Sequence, residues 1–221
     1  MKTALLFGAS GLVGGHLLST LLHHSAYRQV IAVVRRELPL RHPQLKQLIG
    51  DSATLPALAD TLAAEDLFIA LGTTRKNSPD PRDYYRIDHD YPLLAARLAL
   101  EHGARSISLV SSMGASVSAY ASYLRIKGET EQDIIALHAT RTHIFRPGMI
   151  MGDRREHRPL EKGLNLVWRR LNPVLRGRAE KYRAITAADI AVAMVAAAQL
   201  PTGEVNIYTW SEMQALVRDA G

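Results

Sequence analysis

Thr3-Ala-Leu-Leu-Phe7 runs unbroken into Gly8-Ala-Ser-Gly11-Leu-Val-Gly14, and leucines then recur at Leu17, Leu18, Leu21 and Leu22. A short apolar run that ends on glycine has the length of a buried parallel strand, and the leucines keep to one face of a helix. Strand, glycine-rich turn and helix, in that order, make the setting of a dinucleotide-phosphate turn. Each glycine has its own reason. Gly8 permits the tight exit from the strand, Gly11 lets the backbone approach a pyrophosphate, and Gly14 lets the helix lie close to the strand. The free N–H groups and positive dipole end of that helix would face the phosphates. The expected contacts are Gly8, Ser10, Gly11, Leu12, Val13 and Gly14. The competing reading is a plain helix start.

The chain of 221 residues is long enough for one large core, and its 47% hydrophobic and 22% charged residues are an ordinary globular balance. No apolar run reaches the length of a membrane span. Met1 and Lys2 lead straight into the first strand, so no signal peptide is expected, and there is no cysteine. Together these features point to a cytoplasmic home. The net charge of +6 is unevenly placed: between Arg154 and Arg183 ten lysines and arginines face three acids. Such a stretch suits an anionic ligand, an acidic partner or a solvated face. No nucleic-acid motif and no aromatic-basic interleaving accompanies it, so a polynucleotide partner is not expected.

Further along, Val30–Val34 reads as a second buried strand that ends at Arg35-Arg36-Glu37. An acid just past this strand selects NAD through the ribose hydroxyl, whereas arginine neutralises a 2′-phosphate. Arg35 and Arg36 therefore favour NADP(H), against a reading as two solvent arginines, with Glu37 as the contrary signal. Leu45–Ile49 is a third strand, followed by Asp51, either an adenine neighbour or a helix cap. A short helix over 56–64 leads to a fourth strand, Leu67–Leu71. Leu71, Gly72 and Thr73 then form a small-residue turn where ligands of open parallel sheets bind. A long helix is expected over 82–102, kinked or restarted at Pro92. Ser106–Val110 is the fifth strand, and strands alternating with helices predict an α/β fold with a doubly wound parallel sheet.

The fifth strand runs into Ser111-Ser112-Met113-Gly114-Ala115, and Tyr123 and Lys127 follow at the start of a helix. Tyrosine and lysine four residues apart share a helix face. A free phenol ionises near a pH of about 10, too high for acid–base work at neutrality. A lysine cation beside it favours the phenolate and brings it down. Ser112, Tyr123 and Lys127 are thus the candidate catalytic set: Ser112 to hold a substrate oxygen, Tyr123 as acid or base, and Lys127 to tune Tyr123 and bond the cofactor ribose.

These pieces resemble an atypical short-chain dehydrogenase/reductase, similar to the Tat-interacting-protein family of oxidoreductases. The matching segments are Gly8–Gly11, Arg35-Arg36, Leu71-Gly-Thr-Thr-Arg75, Ile87-Asp-His-Asp-Tyr91, Ser111–Ala115, Tyr123–Lys127, and Phe145-Arg-Pro-Gly148 with Asp153-Arg-Arg-Glu156. The resemblance implies a single NADPH-binding Rossmann domain over 1–221, with Ser112, Tyr123 and Lys127 as its centre. Asp88 stands where many relatives in the wider superfamily carry asparagine for a proton relay. The family also contains members known mainly as regulators.

Thr142–Phe145 is the sixth strand, and in similar enzymes the Pro147 turn that follows borders the nicotinamide. The basic segment, about 149–185, lies where such enzymes place a substrate lid. Thr186 caps an alanine-rich helix, Val205–Tyr208 is a late strand, and Ser211 with Gln214 would cap a last helix. The nine histidines form no metal-ligand spacing, and none is assigned. Three functions follow: an NADPH-dependent reductase of a carbonyl or quinone-like molecule, an NADPH-bound sensor or scaffold that engages a protein through 154–183, and a nucleic-acid binder.

Overall fold

The strand Lys2–Phe7 (β1) is buried on both faces, which explains its unbroken apolar run. Ala4 and Leu6 enter one core; Leu5 and Phe7 enter the other. Each fully buried aliphatic or aromatic side chain there contributes about 1.5–3 kcal/mol. The computed structural model describes residues 1–74, 76–152, 177–201 and 203–220.

Around β1 lie the helix Leu12–His23 (α1) and the strands Tyr27–Val34 (β2), Leu45–Ile49 (β3), Asp66–Ile69 (β4), Ser106–Val110 (β5), Arg141–Phe145 (β6) and Val205–Tyr208 (β9). These seven strands form one sheet in the order β3-β2-β1-β4-β5-β6-β9, every pairing parallel. The fold is the expected Rossmann-like α/β fold. Its strand order reverses direction between β1 and β4, and ligands of such sheets bind beyond the strand ends at that switch point.

One face of the sheet carries α1, the helix Ala187–Ala197 (α5) and the helix Trp210–Asp219 (α6). Leucines 17, 18 and 21 of α1 and the small residues of α5 share one apolar cluster, so the two helices pack directly. The other face is covered by a 3₁₀ turn (Leu55–Thr61) and two helices, Tyr91–Glu101 (α3) and Ser122–Ile135 (α4). A two-residue parallel pair, Ile150–Met151 (β7) with Ile185–Thr186 (β8), stands apart from the sheet.

Several local expectations shift. The helix expected over 56–64 is the 3₁₀ turn, with Pro56 at its start. The helix expected over 82–102 is three pieces: Pro81–Tyr85 (α2), a π-helical turn at Arg86–Asp90, and α3. Pro92 has no N–H to offer the carbonyl of Asp88, four residues back. That carbonyl accepts instead from the Thr130 hydroxyl of α4, at 3.0 Å. The last helix is capped by a reciprocal pair of Thr209 and Glu212, each just ahead of the expected Ser211 and Gln214. Thr186 caps α5 as read, its hydroxyl accepting from the Asp189 N–H at 3.0 Å.

Candidate functional site

The glycine turn sits at the carboxyl end of β1, against the turn after β4. Gly8 has φ +91°, and a Cβ there would stand 2.4 Å from the Ala70 carbonyl oxygen, so turn and close approach both require glycine. At Gly14 a Cβ would fall 1.9 Å from the Gly8 carbonyl oxygen, which is how α1 comes to lie against β1. Gly11 is the residue before α1, and no side chain caps the helix there. Ser10 and Gly11 are exposed, Leu12 is half-buried, and Val13 and Gly14 are buried. Val13 belongs to the apolar core, so it and Gly14 offer only backbone N–H groups at the helix start. An anion fits this uncapped end.

Arg35 and Arg36 are exposed just past β2. Glu37, the contrary signal for NAD, is paired with Arg41 at 2.6 Å, and that hydrogen bond holds its carboxyl below the usual range. Asp51 is exposed; its carboxylate accepts from the N–H groups of Ala53 and Thr54 at 3.0 and 3.1 Å. Those bonds, Thr54 first, lower it; they close the turn ahead of the 3₁₀ segment, whose own N-cap is Thr54. Tyr91 lies nearby, edge-on to Phe7 at 5.7 Å, and burial pushes its phenol up to about 12.

The Leu71–Thr73 turn follows β4, with Gly72 exposed and Leu71 and Thr73 half-buried. Thr73 N–H donates to Asp88 Oδ2 at 2.9 Å, and Lys127 Nζ stands 2.9 Å from Asp88 Oδ1. Lys127 and Asp88 are 4% and 1% exposed, so this is a buried ion pair. A Cβ on Gly72 would be 3.8 Å from Lys127 Nζ, so the lysine head lies directly beneath the expected cofactor wall. The next residue, His89, faces Asp90 and Asp133 through its two ring nitrogens at 2.8 and 2.9 Å, a further tie between the π turn and α4.

The end of β5 is fastened to β6. Ser111 N–H donates to the Phe145 carbonyl at 2.7 Å, and Met113 N–H to the Pro147 carbonyl at 2.8 Å. The Ser111 hydroxyl donates to buried Glu131, which also holds Arg146 Nε at 2.9 Å. Ser112 is half-buried beside this network, and its hydroxyl makes only a long contact with the Met113 carbonyl, 3.5 Å. Tyr123 lies in the first turn of α4 and is 39% exposed. Gly128 lets α4 press on the chain after β5, since a Cβ would meet Ser116 at 2.3 Å.

Lys127 is thereby brought to Gly72 and Thr73, while Ser112 and Pro147 share the tie between β5 and β6. The Lys127–Asp88 pairing and the Ser111–Glu131–Arg146 network were not foreseen. Glu131 stands four residues after Lys127, a spacing that could have flagged it. Arg75, Asp153–Glu156, Trp168 and most of the basic segment (Arg154 to Arg176) lie outside the described residues. Among the described residues no three acids or histidines gather as a metal site. An uncapped, glycine-lined helix start facing an open turn with a lysine beneath it fits a dinucleotide.

A family model described as NAD(P)H-binding matches residues 8–201. Protein FMP52, mitochondrial, of Candida glabrata is 39% identical over 71% of this chain and 67% of its own length. The protein of the same name from Saccharomyces cerevisiae is 35% identical over 74% of this chain and 72% of its own. These relatives carry that name rather than one from the Tat-interacting family. Among solved structures, MoeE5 in complex with UDP-glucose and NAD superposes with a TM-score of 0.69 at 19% identity, covering 98% of this chain and 81% of that one. The expected cytoplasmic home is corrected by these relatives, which are named as mitochondrial proteins. A lack of cysteine bears on secretion and does not distinguish one reducing compartment from another.

Proposed function

The chain belongs to the NAD(P)H-binding family, and from that premise we propose that it is an oxidoreductase of the short-chain dehydrogenase/reductase type, one NAD(P)-binding domain that prefers NADP(H) and reduces a carbonyl or quinone-like small molecule. The observation that carries the reading is Lys127, buried under Gly72 at the edge of the cofactor turn, with Tyr123 one helical turn away on the substrate side.

When bound, the reduced nicotinamide supplies a hydride to the substrate carbon. Tyr123 then gives its phenolic proton to the developing oxyanion, and Ser112 orients that oxygen from the end of β5. Lys127 would present its ammonium to the cofactor ribose. The α1 N-terminus would receive the pyrophosphate through its N–H groups, and Arg35 and Arg36 would meet the 2′-phosphate. Pro147, whose carbonyl accepts from the Met113 N–H, would wall the nicotinamide side.

The test is NADPH oxidation across quinones, aldehydes and ketones, with Tyr123→Phe run alongside. Turnover should fall by about 10²-fold or more in the variant, the scale of a lost general acid. NADPH affinity by calorimetry should stay within about twofold, because the phenol makes no phosphate contact. Equal turnover in the two proteins removes Tyr123 from the mechanism.

A second reading has an observation of its own. Asp88 already pairs the charge of Lys127, which favours an NADP(H)-occupied regulatory protein with little turnover that engages a protein through 154–183. Tight NADPH binding with no turnover on any substrate would select it.

A further inference from the structure

Gln47 stands in the middle of the edge strand β3, half-buried, and commits its amide to the loop that leaves β2. Its Oε1 accepts from the Leu38 N–H at 2.8 Å, and its Nε2 donates to the carbonyls of Leu38 at 3.2 Å and Leu40 at 3.1 Å. A carboxylate could not donate there, and an ammonium could not accept. Leu38 also packs against the apolar cluster that α1 shares.

The other end of the same span is fixed as well. The carbonyl of Val34, the last residue of β2, accepts from the Gly50 N–H just past β3 at 2.9 Å. Arg35, Arg36 and Glu37 are therefore a three-residue span held at Val34 and at Leu38. The Glu37–Arg41 pair in the same loop is 57% and 71% exposed on its two sides, and such surface pairs hold little. Gln47 makes the firmer tie.

From this arrangement we infer that Gln47 is a positioning residue for cofactor choice: by fixing Leu38 and Leu40 it holds Arg35 and Arg36 in place for a 2′-phosphate before the cofactor arrives. The inference rests on the proposed preference for NADP(H). A guanidinium carried on ordered backbone meets an anion without the ordering cost that a free loop adds on binding. Gln47 acts only through that backbone, since its amide is engaged by the loop. NADH has no 2′-phosphate, so the effect belongs to NADPH alone.

The experiment measures NADPH and NADH binding by calorimetry on full chains: wild type, Gln47→Met, the pair Arg35→Ser with Arg36→Ser, and all three together. Methionine keeps the length of glutamine and loses the amide. NADPH should bind about tenfold more weakly to Gln47→Met, the scale of ordering one residue of backbone. NADH should stay within about twofold. Once both arginines are gone, adding Gln47→Met should change NADPH affinity by less than about twofold, because the two sites act as one. Equal losses for the two cofactors, or a NADPH loss undiminished without the arginines, would overturn the inference and leave Gln47 as a residue of the strand.

Trypsin reads the tether without any cofactor. Arg35 and Arg36 are exposed, and cleavage after them should quicken in Gln47→Met relative to cleavage elsewhere in the chain. Unchanged cleavage would overturn the inference. If wild type binds NADPH no better than NADH while Gln47→Met is still cut faster, the cofactor reading has failed and the tether has not. Should Gln47→Met not fold, Gln47→Thr, suited to a strand and too short to reach the loop, is read the same way.

Discussion

On the proposed preference for NADP(H), the choice of cofactor would come down to Arg35 and what does not compete with it. Glu37 would favour a ribose hydroxyl if it were free, but Arg41 holds its carboxylate at 2.6 Å. Arg35 and Arg36 are exposed past the end of β2, and on that proposal their guanidinium donors would meet a 2′-phosphate. Arg35→Ser should weaken NADPH binding about tenfold or more and leave NADH nearly unchanged, since a charge-assisted hydrogen bond is worth roughly 1.5–3 kcal/mol. Calorimetry with both cofactors measures it, and a wild type that binds NADH more tightly than NADPH sinks the assignment. What was legible here was local. Gly8, Arg35, Tyr123 and Lys127 could be placed because each follows from its neighbours in sequence. The ion pair of Asp88 with Lys127 could not, because it joins residues that only the tertiary fold brings together.

Elements were readable where periodicity was strong. β1, β3, β5, β6 and α4 stand where apolar pattern and spacing put them, and the glycine turn follows β1. The π turn at Arg86–Asp90 was not readable, because Pro92 signals an interruption without saying which kind. The pair β7 and β8 has two residues a strand, too few to show an alternation. At the last helix two capping patterns overlap in sequence, Thr209 with Glu212 and Ser211 with Gln214, and only geometry decides between them. The joint between β1 and α1 makes a prediction at this scale. Gly14→Ala puts a methyl 1.9 Å from the Gly8 carbonyl oxygen, where only backbone can move. That should destabilise the fold by about 3 kcal/mol, the upper range for overpacking. Because the displaced backbone is the phosphate turn itself, NADPH affinity should fall with it. Urea unfolding and calorimetry on the same variant check both, and a variant as stable as wild type would mean the helix has room to shift.

For the whole molecule, His143 ties stability to pH. It lies fully buried in β6 with Nδ1 against the Tyr208 hydroxyl at 3.1 Å, and burial, with Arg141 adding, pushes it down to about 4. Between the ordinary histidine value of about 6.5 and about 4, the unfolded chain binds a proton that the folded chain does not. The contribution is therefore complete above that window and lost as pH falls through it. Denaturant unfolding should show His143 costing about 2 kcal/mol between pH 7 and pH 5. His143→Gln, which keeps a partner for Tyr208, should flatten that slope by the same amount. A variant whose acid slope matches wild type would show that His143 is not the group responsible.

The packing of α1 against α5 has a consequence for how the chain is made. The helix that would cradle the phosphates leaves the ribosome early, while the helix that covers its leucine face is encoded near the far end of the sequence. At roughly 5–20 residues per second, that leucine face waits on the order of ten seconds for its partner. During synthesis the first helix is thus an exposed apolar surface that a bound dinucleotide cannot shelter, since the cofactor touches only its tip. Nascent chains stalled before residue 187 should engage a holdase chaperone, and full-length chains should let it go.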